Sequence, residues 1–189
     1  MILSNQEILN AILNGDLKVG DFTGNENPGE APFNTSAVDL HLANEISKLK
    51  AGPAAIDLTQ PGLPNFLKNN SEPISIGYNQ PFRLDPGDFL IAKTTEDVAF
   101  PVRVGRPHYA ARVEGRSSIA RCGVLVHFTA PTIHAGFNGT ITLEITNLSP
   151  MSFLLTPGMK ICQLIIEKVE GEVVLTPSQF RGQTTPTGG

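Results

Sequence analysis

The sequence predicts a mainly β fold with one short helix at its N-terminus. Glycine and proline are plentiful, 18 and 15 of 189 residues, and they recur as turn pairs. Frequent turns fit many short strands better than a helical bundle. From residue 81 onward, runs rich in β-branched and aromatic residues alternate with those turns. A helical apolar spacing stands out near the start. The length fits one domain with an appended segment, which places a β domain with its N-terminal helix at 1–174 and a flexible C-terminal tail at 175–189.

Taken in order, Ser4 with Glu7 three residues on forms a capping-box pattern, and Ile8, Leu9, Ile12 and Leu13 follow at helical spacing until Gly15 ends the run. Residues 23–36, "TGNENPGEAPFNTS", are polar and turn-rich, a loop leading into the alternating "AVDLHLANEI", where a strand begins near Ala37. The stretch "KLKAGPAAIDLTQPGLPNFLKNNSEPI" is broken by four prolines and reads as irregular, with room for at most a turn or two of strand. Strands are then expected at 89–93, 109–113, 123–129, 140–147, 152–155 and 161–169. Between the second and third of these, "RSSIARCG" has serines at a helix start and Gly123 at its end, which predicts a single helical turn. The tail "SQFRGQTTPTGG" has no hydrophobic period and is expected to stay flexible until something orders it.

A formal net charge of −4 argues against a general nucleic-acid or membrane-surface partner, since such proteins carry basic faces that neutralise phosphate. Any anionic ligand must be held locally. The start "MILSNQEILNAILNG" lacks a basic leader region, and no run approaches membrane-spanning length, so a soluble cytoplasmic protein is expected. Cys122 and Cys162 are far apart, each in an apolar stretch, and are expected to be buried reduced thiols.

Three places carry chemistry. In "EGRSSIAR", residues 114–121, Arg116 and Arg121 offer planar donor forks and Ser117 and Ser118 offer hydroxyls, a set suited to phosphate oxygens and equally to surface ion pairs around a helix cap. In "GFNGTITLEITN", Glu144 falls on the threonine face of an alternating strand, either as an ordinary solvated carboxylate or as a proton shuttle beside a bound base. His127 and His134 flank "FTAPTI", but no third ligand stands at a recognisable spacing, and no Cys-x-x-Cys or His-x-Glu occurs. A zinc-activated hydroxide is therefore not expected.

Together, "MILSNQEIL", "SAVDLHLANEI", "LDPGDFLIAKTTEDVAFP", "EGRSSIARCGVLVHFTAPTIHAGFNGTITLEITN", "LTPGMKICQLIIE" and "GQTTPTG" resemble, in order and over nearly the whole chain, the dCTP deaminase branch of the dUTPase-like superfamily. Within it, "GRSSIAR" and the glutamate of "TLE" are similar to the deaminases rather than to plain dUTPases. The resemblance implies a homotrimer of distorted β-barrel or jelly-roll-like subunits with active sites built from neighbouring chains. It implies Mg²⁺ bound through the substrate's triphosphate, no protein metal ligands and no zinc.

Carried over by position, the resemblance places Arg116, Ser117, Ser118, Ile119, Ala120 and Arg121 along the nucleotide, with Ser117 and Arg121 also reaching the reacting water. Glu144 matches the catalytic glutamate, and the backbone near Ala130 helps hold the water. Thr142 and Leu143 flank the base, Phe137 packs on the deoxyribose, and Gln183 reaches the phosphates from the tail. Three features depart from the family pattern, one of them a tail tyrosine of some members that has no match between Gly171 and Phe180. His134 stands where the family usually has an aspartate that binds the sugar 3′-hydroxyl and, in dUTP-hydrolysing members, positions the attacking water. Gln179 stands where the tail usually has a lysine. The implied reaction is hydrolytic deamination of dCTP to dUTP and ammonia, with dUTP or dTTP as product or inhibitor. The alternatives are a bifunctional enzyme forming dUMP and diphosphate, and a silent nucleotide-sensing trimer.

Overall fold

The computed structural model describes residues 1–52, 57–59, 62–176 and 184–187; Gln179, Gln183 and most of the tail segment "SQFRGQTTPTGG" lie outside them. Helix α1 spans Asn5–Leu13. The Ser4 hydroxyl oxygen accepts from the Glu7 N–H at 3.3 Å, so the helix starts where the capping pattern predicts. A cap of this kind contributes about 1 kcal/mol. Ile8, Leu9, Ala11 and Ile12 are buried, while Leu13 turns outward. Burying a large apolar side chain is worth about 1.5–3 kcal/mol, so Ile8 and Leu9 outweigh the cap in holding the helix. At the helix exit, Arg106 donates to Asp16 Oδ1 (2.7 Å) and to the Asn14 carbonyl (2.8 Å), and Arg103 donates to the Gly15 carbonyl (3.1 Å). These guanidinium groups serve carbonyls that the helix itself leaves open. Gly24 crosses so close that a Cβ there would lie 2.6 Å from Leu13 Cβ, and its φ of +87° also favours glycine.

The strands are β1 (Lys18–Val19), β2 (Phe33–Asn34), β3 (Ala37–Leu49), β4 (Ser71–Ser75), β5 (Phe82–Leu84), β6 (Phe89–Ala99), β7 (His108–Gly115), β8 (Val124–Val126), β9 (Thr132–Ile133), β10 (Asn138–Asn147), β11 (Phe153–Leu155) and β12 (Lys160–Val169). Two further helices are short: α2 (Leu63–Asn69) and α3 (Ser117–Ala120). One sheet runs in the order β8-β10-β6-β3-β12-β7-β9, with β1 added on β6, and β2 and β4 on β3; β5 and β11 pair separately. The first part of β3 pairs with β12 and the remainder with β6 and β4, so this strand joins the two halves. Register shifts interrupt the β3–β6, β3–β12 and β6–β10 ladders. Such bulges add bend and twist, and the sheet curls into a half-barrel. Leu40, Leu42, Leu90, Ile141, Leu143, Ile145 and Ile161 fill its inside and are fully buried.

The bulge in β10 bears on the site. The Ile141 N–H leaves the ladder and donates to Thr94 Oγ1 at 3.0 Å, and that hydroxyl donates onward to the Glu96 carbonyl at 2.7 Å. A fully buried threonine thus supplies the partner that the bulge removes. Beyond the bulge, Ile141, Leu143 and Ile145 face the core while Thr142, Glu144 and Thr146 face the other side, as the alternation predicts.

Two expectations are corrected. The proline-broken stretch, read as irregular with room for a turn or two of strand, holds the helix α2 as well as the strand β4. Pro64 falls in the first turn of α2, where a missing N–H is harmless, and Pro73 lies on β4, an outer strand that among the described residues pairs only with β3. Cys162 is buried, and burial pushes its thiol pKa well up, but Cys122 is exposed. It sits on the turn between α3 and β8, before the strand takes the chain inside. The serines of "RSSIARCG" stand at the start of α3, as expected, with Arg116 as the residue before its first turn. Among the described residues, no helix is long and apolar enough to cross a membrane.

Candidate active site

Strand alternation aims Glu144 away from the core, and the neighbouring strand brings a histidine to it. In the antiparallel β8–β10 pair Val126 lies opposite Ile145, so the next residue, His127, comes level with Glu144. The His127 N–H donates to the Glu144 carbonyl at 2.8 Å. At His127 φ is +52°, a left-handed backbone on a residue with a Cβ, which costs on the order of 1–3 kcal/mol and tends to mark functional sites. The kink turns the imidazole onto the carboxylate. The ring is 7% exposed, and Nδ1 lies 3.0 Å from Glu144 Oε2. That distance suits an ion pair, but the alignment falls short of a good hydrogen bond, so both ring nitrogens and Oε2 remain buried without a well-aligned partner. Buried polar atoms in that condition are rare, and they face the same space as the groups described next.

Burial by itself would raise the Glu144 carboxyl, but the contact with His127 overrides it and holds the group below the ordinary glutamate value. At neutral pH the side chain is a carboxylate, able to take a proton.

Glu144, His127, Ala130, His134, Phe137 and Thr142 line one cavity of about 600 Å³. Phe137 is fixed by a tight turn: its N–H donates to the His134 carbonyl at 3.1 Å, and its carbonyl accepts from Phe100 at 3.0 Å. Gly136 makes that turn with a φ of +87°. Leu143, one residue from Glu144, points its side chain into the core instead. The chain beyond β12 forms another wall through Val173–Thr176, and Pro186 and Thr187 return to the same cavity. Lys93 Nζ anchors that return by donating to the Thr184 carbonyl at 2.8 Å.

The arginine–serine segment lies elsewhere. Gly123 accepts from the Leu148 N–H at 2.9 Å at the near end of β8, whereas His127 meets Glu144 at the far end. Residues 116–121 therefore leave β8 at the end opposite Glu144 within one chain. Arg116 makes no side-chain cap for α3, and Ser117, Ser118, Ala120 and Arg121 are exposed. Arg116 itself is gripped from below by Asp39, a carboxylate that is 3% exposed. So the structure gathers Glu144, Ala130, His134, Phe137 and Thr142 at one place, and Arg116 to Arg121 at another. His127 was weighed in the sequence only as a metal ligand. Its pairing with Glu144 depends on strand register, and the one local cue was a polar residue ending the apolar run "GVLVHF".

The half-barrel defines the class of the protein: a mainly β fold with a strand-borne carboxylate in the wall of a cavity. A crystal structure of 2′-deoxycytidine 5′-triphosphate deaminase from Agrobacterium tumefaciens has the same fold, with a TM-score of 0.62 at 18% identity over 87% of this chain and 47% of that one. The family model described as dCTP deaminase-like matches residues 2–169, and the chain belongs to that family. Among its relatives, the "dCTP deaminase, dUMP-forming" of Methanosphaera stadtmanae is 32% identical over 98% of this chain and 91% of its own. That of Dictyoglomus thermophilum, with the same name, is 36% identical over 99% and 93%. The "dCTP deaminase" of Thermomicrobium roseum is 31% identical over 96% and 87%.

Proposed function

We propose that the protein hydrolyses dCTP to dUTP and ammonia, in a homotrimer whose sites each join Glu144 of one chain to residues 116–121 of a neighbour. The observation that carries this reading is the ionised, half-buried Glu144 in a cavity with Phe137 and His134, on a chain that belongs to the dCTP deaminase-like family. Water adds to cytosine C4 while N3 gains a proton, and ammonia then leaves. Glu144 takes one proton from the water and passes it to N3 as the hydroxyl adds to C4; it then takes the hydroxyl proton and passes it to the amine, so the C4–N bond breaks, C4=O forms and ammonia leaves. The Ala130 backbone, with Ser117 and Arg121 from the neighbour, holds the water; Thr142 and the Leu143 backbone flank the ring. Arg116, Ser117 and Ser118, with Ile119 and Ala120 between them and Arg121, hold the phosphate chain, whose binding energy fixes the ring against Glu144. Residues 175–189, including Gln179 and Gln183, close over the nucleotide. Among the described residues no group of three or more His, Cys, Asp or Glu side chains converges as a metal cage, and Mg²⁺ carried on triphosphate oxygens needs none. When bound there it would neutralise part of the phosphate charge.

A second reading, continuation to dUMP and diphosphate, is favoured by the names of two of the relatives. Chromatography of dCTP, dCMP, CTP and dUTP incubated with Mg²⁺, with ammonia and diphosphate assayed, tests both. Ammonia and dUTP in equal amounts support the first reading; diphosphate supports the second; no ammonia from any cytosine nucleotide refutes both.

Two expectations follow for residues beside Glu144. His127→Phe removes the contact that opposes burial, so the Glu144 carboxyl rises and the acid limb of kcat/KM moves to higher pH; the wild-type limb lies below the ordinary glutamate range. An unmoved limb would show that His127 does not tune Glu144. Phe137 leaves no space for a 2′-hydroxyl, so dCTP is preferred over CTP, and Phe137→Ala narrows the preference by about tenfold. Equal use of both nucleotides by the wild type would contradict that placement.

A further inference from the structure

Asp39, Lys160 and Arg116 come from three adjacent strands or their ends. β12 lies between β3 and β7, with Cys162 opposite both Leu40 and Gly115, so Lys160 at the start of β12 projects beside Asp39 on β3 and near Arg116 at the end of β7. Arg116 Nη1 contacts Asp39 Oδ1, Lys160 Nζ lies 3.1 Å from Oδ2, and Asn34 Nδ2 donates to Oδ1 at 3.0 Å. Burial alone would raise the Asp39 carboxyl, but the hydrogen bonds from Arg116, Lys160 and Asn34 hold it below the ordinary aspartate value.

One buried carboxylate needs one cation. Here it has two, on opposite oxygens, and the nearby Glu96 carboxylate is already engaged by His41, with Nδ1 2.6 Å from Oε1. The Lys160 side chain keeps 38% of its surface exposed and Arg116 keeps 28%, so both cations are anchored on one side and open on the other. An ammonium with three rotatable donors beside a planar guanidinium is a pairing suited to an anion with several oxygens at different angles.

We propose that Lys160 is a phosphate-contacting residue of the nucleotide site, set beside Arg116 by their shared carboxylate, Asp39. This rests on the reading of Arg116 as a phosphate contact in a dCTP deaminase. Lys160 then supplies a charge close to the turn that carries Ser117 and Ser118.

The test compares wild type, Lys160→Met and Lys160→Arg in two measurements at fixed ionic strength. One is steady-state deamination of dCTP with Mg²⁺; the other is calorimetric binding of inorganic tripolyphosphate, which needs no turnover. Lys160→Met is expected to raise the dCTP KM about tenfold with kcat within about twofold, and to weaken tripolyphosphate binding by a similar factor. Lys160→Arg should recover most of both. Unchanged KM and tripolyphosphate affinity in the methionine variant would overturn the proposal, as would a fall confined to kcat and melting temperature, which marks a structural lysine. The two readings fail separately. A wild type that binds tripolyphosphate through Lys160 but releases no ammonia from dCTP keeps this inference and loses the deaminase reading. A wild type that deaminates dCTP, with a methionine variant equal to it, loses only this inference.

Discussion

Glu144→Gln is expected to abolish ammonia release, lowering kcat by about 10³-fold or more, while dCTP binding stays within a few-fold of wild type. The amide keeps the shape of the side chain on β10 and its place opposite His127, but it cannot take a proton from water and return it. A loss of that size with binding preserved marks a group that acts in the transition state; a merely structural carboxylate would lower stability or affinity instead. Stopped-flow or isotope-labelled turnover beside equilibrium binding separates the two. Near wild-type turnover in the glutamine variant would remove Glu144 from the chemistry.

The second large effect concerns the C-terminal segment. Pro186 and Thr187 line the Glu144 cavity, and the Thr184 carbonyl is held by Lys93, whose ammonium also pairs with Glu45 at 2.7 Å. Removing residues 181–189 takes away that wall, the Lys93 anchor and Gln183, and leaves every strand of the described residues in place, since β12 ends at Val169. The truncated protein is expected to keep its melting temperature and oligomeric state while turnover falls on the order of 10²-fold, through lost positioning and water exclusion. Sedimentation, thermal unfolding and an activity assay on one preparation test this. Undiminished activity in the truncated protein would eliminate the lid.

Much of the fold was legible because its patterns are local. The Ser4 cap, the Ile8 and Leu9 stripe and the Thr-Glu-Thr alternation around Glu144 each follow from spacing of two or between three and four residues, and the structure reproduces them. What escaped depends on context that spacing does not carry. Pro64 and Pro73 read as breakers until one is seen in a first turn and the other on an outer strand. Cys122 read as interior because its neighbours are apolar, yet the turn before β8 leaves it outside. At the site, Glu144, Phe137, His134 and the arginine–serine segment were singled out from residue type and family resemblance. The His127–Glu144 contact arises from register between β8 and β10, and the Asp39–Lys160–Arg116 cluster from three strands distant in sequence, so neither leaves a local trace.

The central claim is that the two groups of site residues, separated within one chain, act together across a subunit boundary. Mixing and co-refolding Glu144→Gln with Arg121→Gln, each inactive alone, tests it most directly. In a randomly mixed trimer, a site that takes Glu144 from one chain and Arg121 from the next is intact about one time in four, so ammonia release should return to about a quarter of the wild-type rate. No recovery above the two parent variants, in a mixture shown by mass spectrometry to contain mixed trimers, would contradict the shared site.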